Sequence, residues 1–166
     1  ECGAPEVFRR SVIKNEVEQM FLGQYQHNVD SKGRLTIPVR YREMLADGAY
    51  ITQGFERNLM VMTVSAFETI THRVKQMSIT DPRARLLRRL FYSSGERVDV
   101  DKAGRILIPQ FLRNTAGLNG EAVVAGVGDY FEIWSPTAWA DQATILEDAD
   151  SNAERFIAFD ITSENP

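Results

Sequence analysis

Short runs in which apolar and polar residues alternate, broken by turns rich in Gly, Pro, Asp and Asn, fill most of the chain and predict a β-rich fold. Residues 25–29 form one such run, and residues 96–100 another. Each leads into an Asp-x-x-Gly-Arg turn, and the residues beyond it, 35–37 and 106–108, are apolar or β-branched and suit a pleated surface. Gly33 and Gly104 supply the positive φ that a tight connection requires, so each segment predicts a β-hairpin with an exposed tip. Pro38 and Pro109 cannot donate to a ladder but fit a first helical turn, which predicts that a strand stops and a short helix starts at each. Tyr41, Met44 and Leu45 form the apolar face of one such helix, and Leu112, Thr115 and Ala116 that of the other. Gly48 and Gly117 are expected to end them.

A second pair of strands follows in each half, residues 49–54 with 59–63 and residues 122–126 with 130–134. Helices come next. Ser65 with Glu68 has the spacing of a capping box, and Ser135 precedes Pro136 at a first helical position. Asp81 before Pro82, and Ser151 three residues ahead of Glu154, start the final helices, the first of which buries Leu86, Leu87, Leu90 and Phe91.

The two halves are copies. Residues 30–38 (DSKGRLTIP) recur 71 residues later as 101–109 (DKAGRILIP), and Arg42 and Arg113 each stand four residues past the proline. Further on, the apolar pattern outlives the identities: Met62 corresponds to Trp134 and Phe67 to Trp139. The expected organisation is a first unit over 20–93 (core 24–66) and a second over 94–166 (core 95–138). Residues 1–19, with a weak amphipathic pattern, fall outside the register as an extension or a cloning remnant, and Met20 is the expected natural start.

Composition places the chain among soluble globular proteins, with 43% apolar and 25% charged residues. No apolar run approaches the roughly 20 residues of a membrane span, and the start lacks the order of a secretory signal, so the cytoplasm is the expected location. Cys2 is the single cysteine, which leaves no internal disulfide and no cysteine metal cluster. The net charge of -4 argues against a nucleic-acid partner until its distribution is considered. Residues 20–119 hold 15 Lys and Arg against 9 acidic residues, whereas residues 120–166 hold one Arg against 10.

Within the basic stretch, Lys32 and Arg34 lie on or beside one turn, and Lys102 and Arg105 on or beside the other. A two-stranded β-ribbon fits a DNA major groove, where an arginine fork matches guanine O6 and N7 and lysine meets phosphate. For one isolated motif an Asp–Arg ion pair that pins a turn is the better explanation. Duplication with fixed Gly and Pro favours DNA, and the two explanations are compatible if Asp30 and Asp101 orient the arginines. The run Arg83, Arg85, Arg88, Arg89 reads as a solvated helix face, with Ala158 and Phe159 in place of the last two in the second copy. His27 and His72 show no ligand or triad spacing and read as structural, and no enzyme signature is present. Phe131, Trp134 and Trp139 are assigned to the core rather than to a base-stacking platform.

Met20-Phe-Leu-Gly23 with the two Asp-x-x-Gly-Arg turns gives residues 20–163 a strong resemblance to the MraZ family, the tandem members of the AbrB-like (SpoVT-AbrB) transcription factors. The resemblance implies an α+β, β-rich fold of two swapped-hairpin β-barrel modules that form a pseudo-dimer within one chain. It further implies homo-oligomeric rings and repression from direct repeats of double-stranded promoter DNA upstream of the division and cell-wall gene cluster. Location at the nucleoid, with no cofactor, metal, membrane or small-molecule substrate, follows from the same likeness. Arg34 and Arg105 would be the principal DNA contacts, Lys32 and Lys102 would lie near the backbone, and Asp30, Gly33, Asp101 and Gly104 would support the motif. Lys102 sits one position earlier in its turn than Lys32, which sets the two loops apart. An AbrB-like regulator of other genes, including antitoxin-type repressors, which usually carry one module, and an oligomeric β-barrel that binds proteins through its acidic half are the alternatives.

Overall fold

The computed structural model describes residues 18–159. The first half runs β1 (Gln24–Asn28), β2 (Arg34–Thr36), α1 (Val39–Arg42), β3 (Ala49–Gln53), β4 (Asn58–Thr63), α2 (Val64–Gln76) and α3 (Pro82–Ser94). The second repeats that order as β5 (Glu96–Val98), β6 (Arg105–Leu107), α4 (Gln110–Ala116), β7 (Glu121–Gly126), β8 (Tyr130–Trp134), α5 (Pro136–Glu147) and α6 (Ala149–Phe156). The class is α+β and β-rich, with antiparallel pairing throughout.

The pairing departs from the expected hairpins. β1 lies on β7, from Gln24 opposite Ala125 to Asn28 opposite Glu121, and β2 lies on β6, with Leu35 opposite Ile106. Only one bridge, Val29 to Leu35, joins the two arms of the first turn. Alternation identifies a strand and glycine a turn, but neither selects the partner. Burial selects it, because Leu35 and Ile106 are both fully enclosed only when the two copies lie against each other. The six-stranded sheet runs β1-β7-β8-β4-β3-β5, beside the separate β2–β6 ribbon. Both arrangements look alike from either end, so an approximate two-fold axis relates the halves.

One face of the large sheet, with Ile51, Leu59, Val61, Val124, Phe131 and Ile133, meets Leu35, Ile37, Ile106 and Ile108 of the ribbon segments in a single core. Tyr41 from α1 and Leu112 from α4 plug its ends; Phe21, Tyr41 and Phe131 meet there with ring centres 5.0–5.2 Å apart. On the opposite face α2 and α3 cover Met60 and Met62 with Val74 and Phe91, and α5 covers Val123, Ala125 and Trp134 with Ala138 and Trp139. The ribbon and the longer helices therefore occupy opposite sides of the sheet. Phe131 and Trp134 are buried as expected, and Trp139 packs against Trp134 at 5.9 Å.

Helix boundaries follow side-chain oxygens more closely than spacing rules. Asp81 and Ser135 cap α3 and α5 as expected, each with proline at the start of its helix. The cap of α2 is Thr63, which accepts from Ala66 N–H, rather than Ser65. Asp148, accepting from Ser151 N–H, caps α6 in place of Ser151. Gly117 ends α4 in the left-handed region, whereas α1 stops at Arg42 and loosens into successive three-residue turns up to Gly48. Leu86, expected in the core, is 66% exposed.

Candidate nucleic-acid interface

Each Asp-x-x-Gly-Arg turn is built by its aspartate. Asp30 Oδ1 accepts from the backbone N–H groups of Lys32 and Arg34, both at 2.9 Å, while Oδ2 takes Arg34 Nε at 2.7 Å. Asp101 does the same for Ala103 and Arg105, with Arg105 Nε at 3.0 Å and Nη2 at 2.9 Å from Oδ2. The chain reverses because Gly33 (φ 84°) and Gly104 (φ 77°) occupy a region closed to most side chains. Both arginines thus stand in the ion pair of the bland explanation, yet their side chains remain 33% and 29% exposed. Lys32 and Lys102 are exposed outright.

The two turns are one structure. Ile37 N–H donates to Gly104 O at 2.8 Å and Ile108 N–H to Gly33 O at 2.9 Å, so each turn is stitched to the strand end of the other half. Arg105 Nη1 also lies 3.8 Å from Asp30 Oδ2. Sequence reasoning noted Arg42 and Arg113 as repeated but gave them no task. In the fold Arg113 covers Gly33 and Arg42 covers Gly104, so close that a Cβ added at either glycine would stand 2.5 Å or 2.2 Å from the guanidinium carbon. The signal was their conserved offset from the proline, and its meaning depended on the cross-pairing. Along the ribbon Leu35 and Ile106 point inward, leaving Arg34, Thr36, Arg105 and Leu107 on the outer face. That face is a cationic, two-stranded surface about as wide as a major groove admits.

Residues 20–90 and 91–160 each match the family described as "MraZ protein, putative antitoxin-like". The chain belongs to the MraZ family. It is 43% identical to the "Transcriptional regulator MraZ" of Roseiflexus castenholzii over 137 residues, which cover 82% of this chain and 94% of that protein. It is 44% identical to the protein of that name from Thermomicrobium roseum over 127 residues, 76% and 89% of the two chains. With the one from Herpetosiphon aurantiacus it shares 40% over 143 residues, 86% and 100%.

Other residues singled out from the sequence lie away from this MraZ-family ribbon's outer face. Arg85 donates to Ile79 O and Thr80 O, and Arg88 to Lys75 O, so part of the basic run ties down the α2–α3 connection instead of facing solvent freely. His72 is exposed beside Gln76, and burial followed by the nearby Arg42 charge lowers the pKa of His27. Among the described residues no helix is long and apolar enough to cross a membrane. Cys2 lies outside the described residues.

The turn carboxylates give the MraZ-family fold a definite acid sensitivity. Backbone donation from Arg34, with help from its guanidinium and from Lys32 N–H, brings Asp30 down to about 2. Arg105, first through its guanidinium and then its N–H, lowers Asp101 as well. A depressed folded-state value means stability that is complete above the unfolded value of 3.8 and lost as pH falls towards 2. Asp30→Asn should therefore unfold at lower urea than wild type at pH 7, with the gap narrowing as pH falls from 3.8 to 2.5. A gap constant across that window would refute the assignment.

Proposed function

We propose that the chain is a sequence-specific DNA-binding transcriptional regulator, a repressor acting at direct repeats upstream of a division and cell-wall gene cluster, and that it reads DNA with the β2–β6 ribbon. The observation that carries this reading is the union of both arginine-bearing turns on one outward face, flanked by Lys32 and Lys102. Arg34 commits Nε to Asp30, and among the described residues neither of its Nη atoms makes a hydrogen bond, so the end of its fork is available to guanine O6 and N7. The name shared by its relatives supports the regulatory role. In this reading the units 20–93 and 94–166 form an AbrB-type swapped-hairpin pseudo-dimer, resident at the nucleoid. The acidic helix α5 does not oppose it, since it packs behind the sheet on Val123, Ala125 and Trp134.

The testing experiment is a salt titration of duplex binding. Each lysine at a phosphate contributes a slope of about 0.9 in log K against log salt, so Lys32→Ala with Lys102→Ala should flatten the wild-type slope by about 2. An unchanged slope would take the two lysines off the phosphates, and a wild type that fails to bind any duplex at low salt would remove DNA as the ligand.

Self-association belongs to the same proposal. α3 presents Leu86 at 66% exposure amid arginines, and α6, which carries Asp150 and Glu154, presents Phe156 at 51%. A basic apolar helix and an acidic apolar helix at different places on one molecule fit head to tail, which closes into a ring when the rotation allows. Weak single footprints would then add along repeated boxes. Leu86→Asp should sediment as a smaller species than wild type, and an identical sedimentation coefficient would exclude α3 from the contact.

A further inference from the structure

On the outer face of the ribbon an arginine stands at both related positions, Arg34 held by Asp30 through Nε alone and Arg105 by Asp101 through Nε and Nη2, and the residues opposite them differ. Arg34 stands opposite Leu107, and Arg105 opposite Thr36. The approximate two-fold axis exchanges Arg34 with Arg105 and therefore Thr36 with Leu107. A threonine suits an exposed strand position; a leucine there is 56% exposed and belongs to none of the three apolar clusters of the fold. Ile106 and Ile108 on either side of it already supply the core contacts of that segment, each fully buried. Leu107 therefore leaves an isobutyl group in water, within a cationic surface, at a position where its own counterpart is polar.

We infer that Leu107 is a specificity-determining residue that packs against the 5-methyl group of a thymine next to the base read by Arg34. The inference rests on the ribbon as the DNA-reading surface. In the major groove that methyl group is the apolar feature of the base edges, and leucine offers it no competing hydrogen bond. Directly opposed residues of an antiparallel pair have Cβ atoms about 4.5–5.5 Å apart, between one and two base steps of roughly 3.4 Å, so Arg34 and Leu107 address neighbouring base pairs. The Thr36–Arg105 end offers only the single methyl of a β-branched threonine, set closer to the backbone and beside a hydroxyl group. One end of the face then recognises a guanine with a thymine methyl beside it, and the other a guanine without that requirement, so a bound box has a direction.

The test uses the full chain and a duplex selected by it from a random pool. Each thymine of the selected box is replaced in turn by deoxyuridine, which deletes the methyl group alone, and affinities are measured by fluorescence anisotropy. One position is expected to lose roughly fourfold in the wild type, the worth of one buried methyl-sized group. In Leu107→Ser, which leaves no methyl group to pack, that position becomes indifferent while the remaining contacts persist. Equal uridine penalties in wild type and variant, no sensitive position, or a selected box without thymine would each overturn the role of Leu107 while leaving DNA recognition intact. Failure of the wild type to select any duplex would instead sink the ribbon as a DNA reader, and this inference with it.

Discussion

Exchanging Arg34 and Arg105 together for alanine is expected to weaken binding to a selected duplex by between about 30-fold and about 10⁴-fold, because a fork laid on guanine is worth roughly 1–3 kcal/mol and two are removed. The fold should survive. Asp30 keeps the backbone donors of Lys32 and position 34, and Asp101 those of Ala103 and position 105, so both turns retain their internal bonds. Arg34→Lys sharpens the result, since it keeps the charge and loses the planar pair of donors. Base reading predicts that this variant loses discrimination between boxes while its salt slope stays near wild type; phosphate contact predicts the reverse. Anisotropy titrations alongside thermal melts separate these outcomes, and undiminished affinity in the folded double variant would leave the two arginines without the role assigned to them.

The largest effect on stability is expected at the glycines beneath the crossed arginines. Gly33→Ala and Gly104→Ala should each cost about 2–3 kcal/mol, of which roughly 1–2 is left-handed backbone strain and the remainder displacement of a guanidinium. The second part has an address. Arg113→Ala should relieve Gly33→Ala but not Gly104→Ala, and Arg42→Ala the opposite, because each arginine covers the glycine of the other half. Coupling measured by urea denaturation within each half, in place of coupling across halves, would contradict the cross-pairing of the fold itself. Arg42 also donates through Nε to Ile37 O at 2.9 Å, so its removal alone carries a cost that the cycle subtracts.

What the sequence disclosed, and what it withheld, divides along the range of the interactions. The repeat, the prolines that end β2 and β6, the caps Asp81 and Ser135, and the turn-building aspartates depend on neighbours within a few residues, and they stand where the pattern puts them. Pairing does not. Nothing near residue 24 indicates that its partner is Ala125, nor that β2 leaves β1 to join a strand far along the chain. The same limit hid the duty of Arg42 and Arg113, whose glycines lie in the opposite repeat, and the position of Leu107, whose exposure follows from the face that β6 turns outward. Leu86 was misread because an apolar pair on a helix fixes a face only once its neighbours are known, and here Leu87 and Phe91 take the inner side.

Four of the six strand ladders join one half of the molecule to the other: β1–β7, β2–β6, β3–β5 and β4–β8. Neither half alone owns a finished sheet, and a detached half would present raw β-edges on both sides of its inner hairpin. Such a piece has one stable course, to find its complement. Carrying both halves in one chain makes that encounter intramolecular and releases each from having to match itself. Divergence such as threonine against leucine on the ribbon's outer face is open to a covalently fused pair and closed to two identical chains.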